Sequence, residues 1–168
     1  MTKNNPLVSV IMGSKSDLDI MKGAIEALKE FDVSYDIQVL SAHRAPALVM
    51  DYVKTSEENG VKIFICGAGQ AAHLAGLVSA NTYLPVIGVP VASGALNGMD
   101  ALLATVQMPK GIPVATVAIS GAYNAGLLAV QILSVANEKI AQKLKKYKIN
   151  LQEKVKEISK EVQKELKS

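Results

Sequence analysis

The feature that most constrains this chain is an alternation repeated five times: a short apolar run, then a segment whose apolar residues recur at helical spacing. Residues 8–12 (VSVIM) form the first run, and Leu18, Met21, Ile25 and Leu28 follow at steps of three and four. Asp32 and Val33 break that helix. Residues 35–40 (YDIQVL) read as a second strand, with Ile37 and Val39 on one face. Pro46 suits the first turn of a helix over 47–58, which stops at Asn59-Gly60. The third run is 62–66 (KIFIC), followed by a small-residue helix over 71–80. The fourth is 85–91 (PVIGVPV), followed by a helix over 99–106. The fifth is 114–119 (VATVAI), followed by a helix over 124–135. Strands alternating with helices of this length imply βαβ units, and unbroken apolar runs imply strands covered on both faces. The expected fold is α/β: a flavodoxin-like three-layer sandwich around a five-stranded parallel sheet, with a long C-terminal helix added. Several strand orders satisfy the pattern.

The chain has 168 residues, enough for one well-covered core. With aromatics at 4% and no tryptophan, that core must be aliphatic. The α/β catalytic domain is expected to span residues 1–136 and a helical extension 137–168. Charge divides at the same place: the body carries eight basic and ten acidic residues, the extension ten lysines and five glutamates. Leu151, Val155, Ile158, Val162 and Leu166 fall at helical steps, a thin apolar stripe on a charged helix. So thin a stripe gains little from one small domain, so the extension is expected to pack on a neighbouring subunit. A nucleic-acid binder would place arginines and aromatics on its folded surface, and Arg44 is the sole arginine. No apolar run approaches the length of a signal or a membrane span. A single cysteine, Cys66, fits a reducing compartment, and a cytoplasmic location is expected.

Ligands of open parallel sheets bind beyond the carboxyl ends of the strands. Gly13, Ser14, Ser16 and Asp17 follow the first strand, and Ser41, His43 and Arg44 the second. Gly67, Gly69, Gln70 and His73 follow the third, and Ser93, Gly94, Asn97 and Gly98 the fourth. Both histidines and the only arginine therefore fall on one rim. Residues 13–17 (GSKSD) can cradle an anion with free amides and hydroxyls, while Asp17 suits ribose hydroxyls. Helix capping by Ser16, with Asp17 in the first turn, explains them equally well. The planar fork of Arg44 suits phosphate; the competing reading is a surface ion pair. Either His43 or His73 can give and take a proton near neutrality, or else serve as a hydrogen-bonded structural residue. Two histidines without nearby cysteines or a carboxylate cluster make a poor metal set, so no metal is expected. The proline-bounded loop 107–113 lies at the opposite ends of the strands and is expected to be structural or inter-subunit.

Taken together and in order, MGSKSD, SAHRAP, GAGQAAHLAG, PVIGVPV, VQMPKGIPVATVAI and NAGLLAVQIL resemble the class I N5-carboxyaminoimidazole ribonucleotide mutases of purine biosynthesis. The resemblance runs from about Val8 to Leu133. It implies an isomerase that moves a carboxyl group from an exocyclic nitrogen to ring carbon C4 of an aminoimidazole ribonucleotide, through CO2 held in the site, with no cofactor. It implies a homo-octamer with active sites at subunit interfaces, and neither nucleic-acid nor membrane partners. By the same resemblance His43 is the catalytic acid and base, and Ser14, Asp17 and Arg44 bind substrate. Ser16, Ser41, Ala68, Gly69, His73 and Leu74 line the site. Gln70 and Ala75 depart from the usual GAGGAAHLPG, where glycine and proline stand. Two other readings compete: a class II carboxylase that uses CO2 directly, and a flavodoxin-like binding or signalling module. A receiver module would end its third strand in aspartate, where Cys66-Gly67 stands. A flavin carrier would need ring-stacking aromatics, for which Tyr83 and Tyr123 are the candidates.

Overall fold

A computed structural model describes residues 5–166. Its strands are β1 (Val8–Met12), β2 (Tyr35–Val39), β3 (Ile63–Gly69), β4 (Val86–Val91) and β5 (Ala115–Thr116). The helices are α1 (Leu18–Glu30), α2 (Pro46–Glu58), α3 (Leu74–Ser79), α4 (Met99–Val106), α5 (Ala122–Ser134) and α6 (Glu138–Glu165). All strand pairs are parallel, in the order β2-β1-β3-β4-β5, which is the flavodoxin-like arrangement. β1 and β4 are buried along their whole length, as their continuous apolar runs require. β2 is an edge strand, and its Ile37 and Val39 remain substantially exposed.

Alternation along β3 supplies both faces of the sheet. Phe64 and Cys66 pack with Ile11 against Val49 and Val53 of α2 and Leu74, Ala75 and Val78 of α3. On the other face a Cβ at Gly67 would collide with the Met21 side chain of α1, so glycine there leaves room for that side chain to lie against the sheet. Gly126 of α5 plays the same part against Ala24 and Ala27 of α1. The result is the expected three layers. Among the described residues no buried polar side-chain atom lacks a hydrogen-bond partner. No described helix is long and apolar enough to cross a membrane.

Most boundaries fall within two residues of the sequence expectation, α5 starting at Ala122 rather than 124, but three elements differ more. β5 has two residues rather than six. β4 presents Gly88 and Pro90 toward it: Gly88 O accepts from Val117 N and Pro90 O from Ser120 N. Proline has no N–H to return, so the ladder ends there. β3 runs on through Gly67 and Gly69, because β4 pairs as far as Val91. α3 begins at Leu74 rather than residue 71. Gln70 has φ +52°, and Ala72 N and His73 N turn back on Gln70 O and Ala71 O before a helix can start.

The chain separates into two compact units at Val130, within α5. The second unit is dominated by the 28-residue α6, capped by the Asn137 side chain accepting from Ile140 N at 3.2 Å. Leu151, Val155, Ile158 and Val162 are all exposed along it.

Candidate active site

The carboxyl ends of β1, β2, β3 and β4 enclose a cleft of about 410 Å³, at the point where the strand order reverses between β1 and β3. Its walls include Ser14, Ser16, Asp17, Ser41, His43, Arg44, Ala68, Gly69, His73 and Leu74, every residue the family resemblance assigned to the site, while Gly67 and Gly94 of the predicted rim are outside the lining. Gly13, Ala42, Gln70, Ala71 and Ser93 complete them. Gly13, Gln70 and Ser93 stood on the predicted rim; Ala42 and Ala71 carried no chemical signal that could have marked them. Asn97 and Gly98, on the same predicted rim, are outside the lining.

The β1 end is built by reciprocal capping. Ser14 caps a single 3-10 turn, Lys15–Asp17. Its Oγ accepts from Ser16 N at 3.3 Å, and Asp17 Oδ2 accepts from Ser14 N at 3.0 Å. The capping role belongs to Ser14, not to Ser16 as the competing sequence reading had it. Ser16 Oγ–H also donates to Ser14 Oγ, at 2.9 Å. Asp17 Oδ1 lies 3.3 Å from the same Ser16 Oγ, so the single Ser16 hydroxyl proton is shared between Ser14 and Asp17. Asp17 is buried, and desolvation raises its carboxyl above the ordinary 3.8, against the lowering effect of the Ser14 and Ser16 hydrogen bonds.

After β2 the chain turns through Ser41, whose Oγ accepts from the Arg44 backbone N–H at 3.2 Å and from Arg44 Nε at 3.3 Å. Arg44 Nη2 donates to Gly13 O at 3.3 Å. These bonds pin the guanidinium between the ends of β1 and β2 and leave three of its five N–H donors uncommitted. Among the described residues no acidic side chain pairs with Arg44, which disfavours the surface ion-pair reading.

Across the switch point, His43 Nε2 lies 2.8 Å from His73 Nδ1, with the rings nearly perpendicular at 81°. One imidazole must donate and the other accept, so the tautomer of each fixes that of its partner. Both rings are exposed at the cleft. The contact joins loops that lie 30 residues apart. At the far wall a Cβ on Gly69 would collide with Ser93 Oγ, so the ends of β3 and β4 close tightly there. Cys66 lies below, fully buried, and desolvation pushes its thiol pKa up, leaving it inert.

Fold and cleft together define a flavodoxin-like α/β protein whose topological switch point carries one arginine, two contacting histidines and a buried carboxyl group. The profile of the AIR carboxylase family matches residues 7–154, and the chain belongs to that family. It is 52% identical over 163 residues to N5-carboxyaminoimidazole ribonucleotide mutase of Pyrococcus horikoshii, covering 97% of this chain and 92% of that protein. It is 54% identical over 156 residues to the enzyme of the same name from Bacillus subtilis, covering 92% and 96%. The chloroplastic phosphoribosylaminoimidazole carboxylase of Vigna aconitifolia is 48% identical over 149 residues, 89% of this chain but 27% of that protein. Among solved structures, Treponema denticola PurE superposes with a TM-score of 0.83 at 33% identity, covering 92% of this chain and 98% of that one.

Proposed function

We propose that this chain is an isomerase of purine biosynthesis, converting N5-carboxyaminoimidazole ribonucleotide to 4-carboxy-5-aminoimidazole ribonucleotide. The observation that carries this reading is the His43–His73 contact, set between the Arg44–Ser14–Asp17 wall and the Gly69–Ser93 wall of one cleft. Arg44, Ser14 and Ser16 hold the phosphate. Asp17 accepts from the ribose hydroxyls. The ring then lies over Ala68, Gly69 and Leu74, with His43 at its reacting edge. His43 protonates the exocyclic nitrogen as the nitrogen–carboxyl bond breaks, and CO2 is released into the closed cleft. Ring carbon C4 then attacks CO2, and the C4 proton passes to His43, restoring its starting state. The steps balance without ATP, metal or organic cofactor. One base serves both because the exocyclic nitrogen is carried by the ring carbon next to C4, and His73 fixes its tautomer.

Replacing His43 with Asn keeps the size and a donor but removes the titrating nitrogen. Turnover of the carbamate ribonucleotide should fall by at least about a hundredfold, with substrate affinity retained. Equal rates would remove His43 from the mechanism. A second reading, direct carboxylation of the bare imidazole, draws support from the carboxylase name of the Vigna relative. Labelled bicarbonate separates the two. The mutase keeps its own carboxyl group, whereas direct carboxylation would put the label quantitatively into product.

The working enzyme is a cytoplasmic homo-octamer in this reading, with sites next to subunit interfaces. Leu96, Met99, Leu103 and Val106 support it: they form an exposed apolar stripe on and just before α4, beside the loop that carries Ser93 to the cleft. The α6 extension packs on a neighbouring subunit, its excess of lysines complementing the acidic balance of a neighbour's body.

A further inference from the structure

Gln70 occupies a conformation that glycine would adopt at no cost. Its φ is +52°, and a side chain there is strained. Such strain concentrates at functional sites, where the surroundings hold it in place. Its side chain lies across the backbone of the next loop, where a Cβ on Gly94 would be 3.2 Å from Gln70 Nε2 and 3.5 Å from its Cγ. The residue lines the cleft, and its carboxamide makes no hydrogen bond among the described residues. The amide therefore offers two donors and one acceptor at the cleft wall.

Topology gives those donors a position relative to the ligand. Arg44, Ser14 and Asp17 are fixed at the β2–β1 side, by bonds to Gly13, Ser41 and one another. Gln70 follows β3 and lies against the loop after β4, on the opposite side of the switch point. The two histidines meet between them. A sugar phosphate anchored on Arg44 extends through the histidines toward Gln70, so its reacting end arrives at the carboxamide. Arg44 is the one arginine, and no lysine lines this cleft. Within one chain, a second anionic group on the ligand meets only the histidines and neutral donors such as Gln70 and Ser93.

We propose that the Gln70 carboxamide binds the carboxylate of the ligand and distinguishes carboxylated from uncarboxylated imidazole ribonucleotides. This rests on the mutase reading above. It assigns Gln70 a contact that the backbone alone would not supply.

The test compares binding of two probes, 5-aminoimidazole ribonucleotide and its 4-carboxylate, to wild type, Gln70→Gly and Gln70→Glu by calorimetry. Gln70→Gly relieves the backbone strain, so its melting temperature should not fall. It should bind the carboxylate roughly tenfold or more weakly, the loss expected for a hydrogen bond to a charged group, and the uncarboxylated probe as wild type does. Gln70→Glu should weaken the carboxylate further, by repulsion. Equal losses for both probes, or no loss for either, would overturn the proposal while leaving the mutase reading intact. If wild type binds neither probe, the mutase reading falls and this inference with it.

Discussion

Asp17 shows how one side chain can be held in a cleft at the expense of stability. Desolvation raises its carboxyl above the ordinary value, so the folded chain binds that proton more tightly than the unfolded chain. Stability therefore falls as pH rises from about 3.8 through the folded value, and the ionised group is a net cost at neutral pH. Asn at this position keeps an oxygen to accept from Ser14 N and discards the charge. Asp17→Asn should melt no lower than wild type at pH 7, yet raise KM roughly tenfold by weakening charge-assisted bonds to the ribose. A lower melting temperature with unchanged KM would make Asp17 a capping residue only. At this scale the sequence was informative because the rule about strand ends needs only the strands, and the composition made His43 and Arg44 conspicuous. It could not distinguish a phosphate cradle from a helix cap for residues 13–17, and the structure shows why. Ser14 and Asp17 cap each other while facing the cleft, so the same atoms satisfy both descriptions.

Among the elements, β1, β2 and α2 are joined by a polar chain beneath the cleft. Tyr52 Oη–H donates to Asp36 Oδ2 at 2.8 Å, and so must accept from Ser9 Oγ–H at 2.7 Å. Ser9 is completely buried in an otherwise apolar strand. Tyr52→Phe would leave that hydroxyl without its partner, and urea titration at pH 7 should show a loss of about 1–3 kcal/mol. Burial, with the Asp36 carboxylate adding to it, pushes the Tyr52 phenol up to about 12. Between pH 10 and 12 the unfolded chain sheds this proton before the folded one, so wild type should lose stability there more steeply than Tyr52→Phe. Parallel pH profiles would show that the phenol is not held in this network. None of this pairing was legible in the sequence, where Ser9 merely interrupts a hydrophobic run. The same holds for the short β5 and the late start of α3. Periodicity detects which residues can share a face, but it does not see that Pro90 withholds an N–H from its neighbour or that Gln70 turns the chain back on itself.

At the scale of the whole molecule, α6 is the part whose stability is least explained by one chain. Its stripe runs Leu151, Val155, Ile158, Val162, all exposed, and the Lys156–Glu153 ion pair in this stretch lies at the surface, where such pairs contribute little. Helices draw most of their stability from burying an apolar face. Among the described residues, the second half of α6 buries none. Packing on a neighbouring subunit, as proposed above, would supply what is missing, and the opposite charge balance of body and extension would favour that contact over solvent. The double variant Val155→Lys/Ile158→Lys keeps chain length and helix propensity while destroying the stripe. Wild type should melt at a temperature that rises with protein concentration, because association stabilises the folded chain. The variant should melt lower, and sedimentation should find fewer chains per particle. If particle mass and melting behaviour both match wild type, α6 stands free in solution and the proposed octamer would have to be held by other faces, with the stripe of Leu96, Met99, Leu103 and Val106 the first to examine.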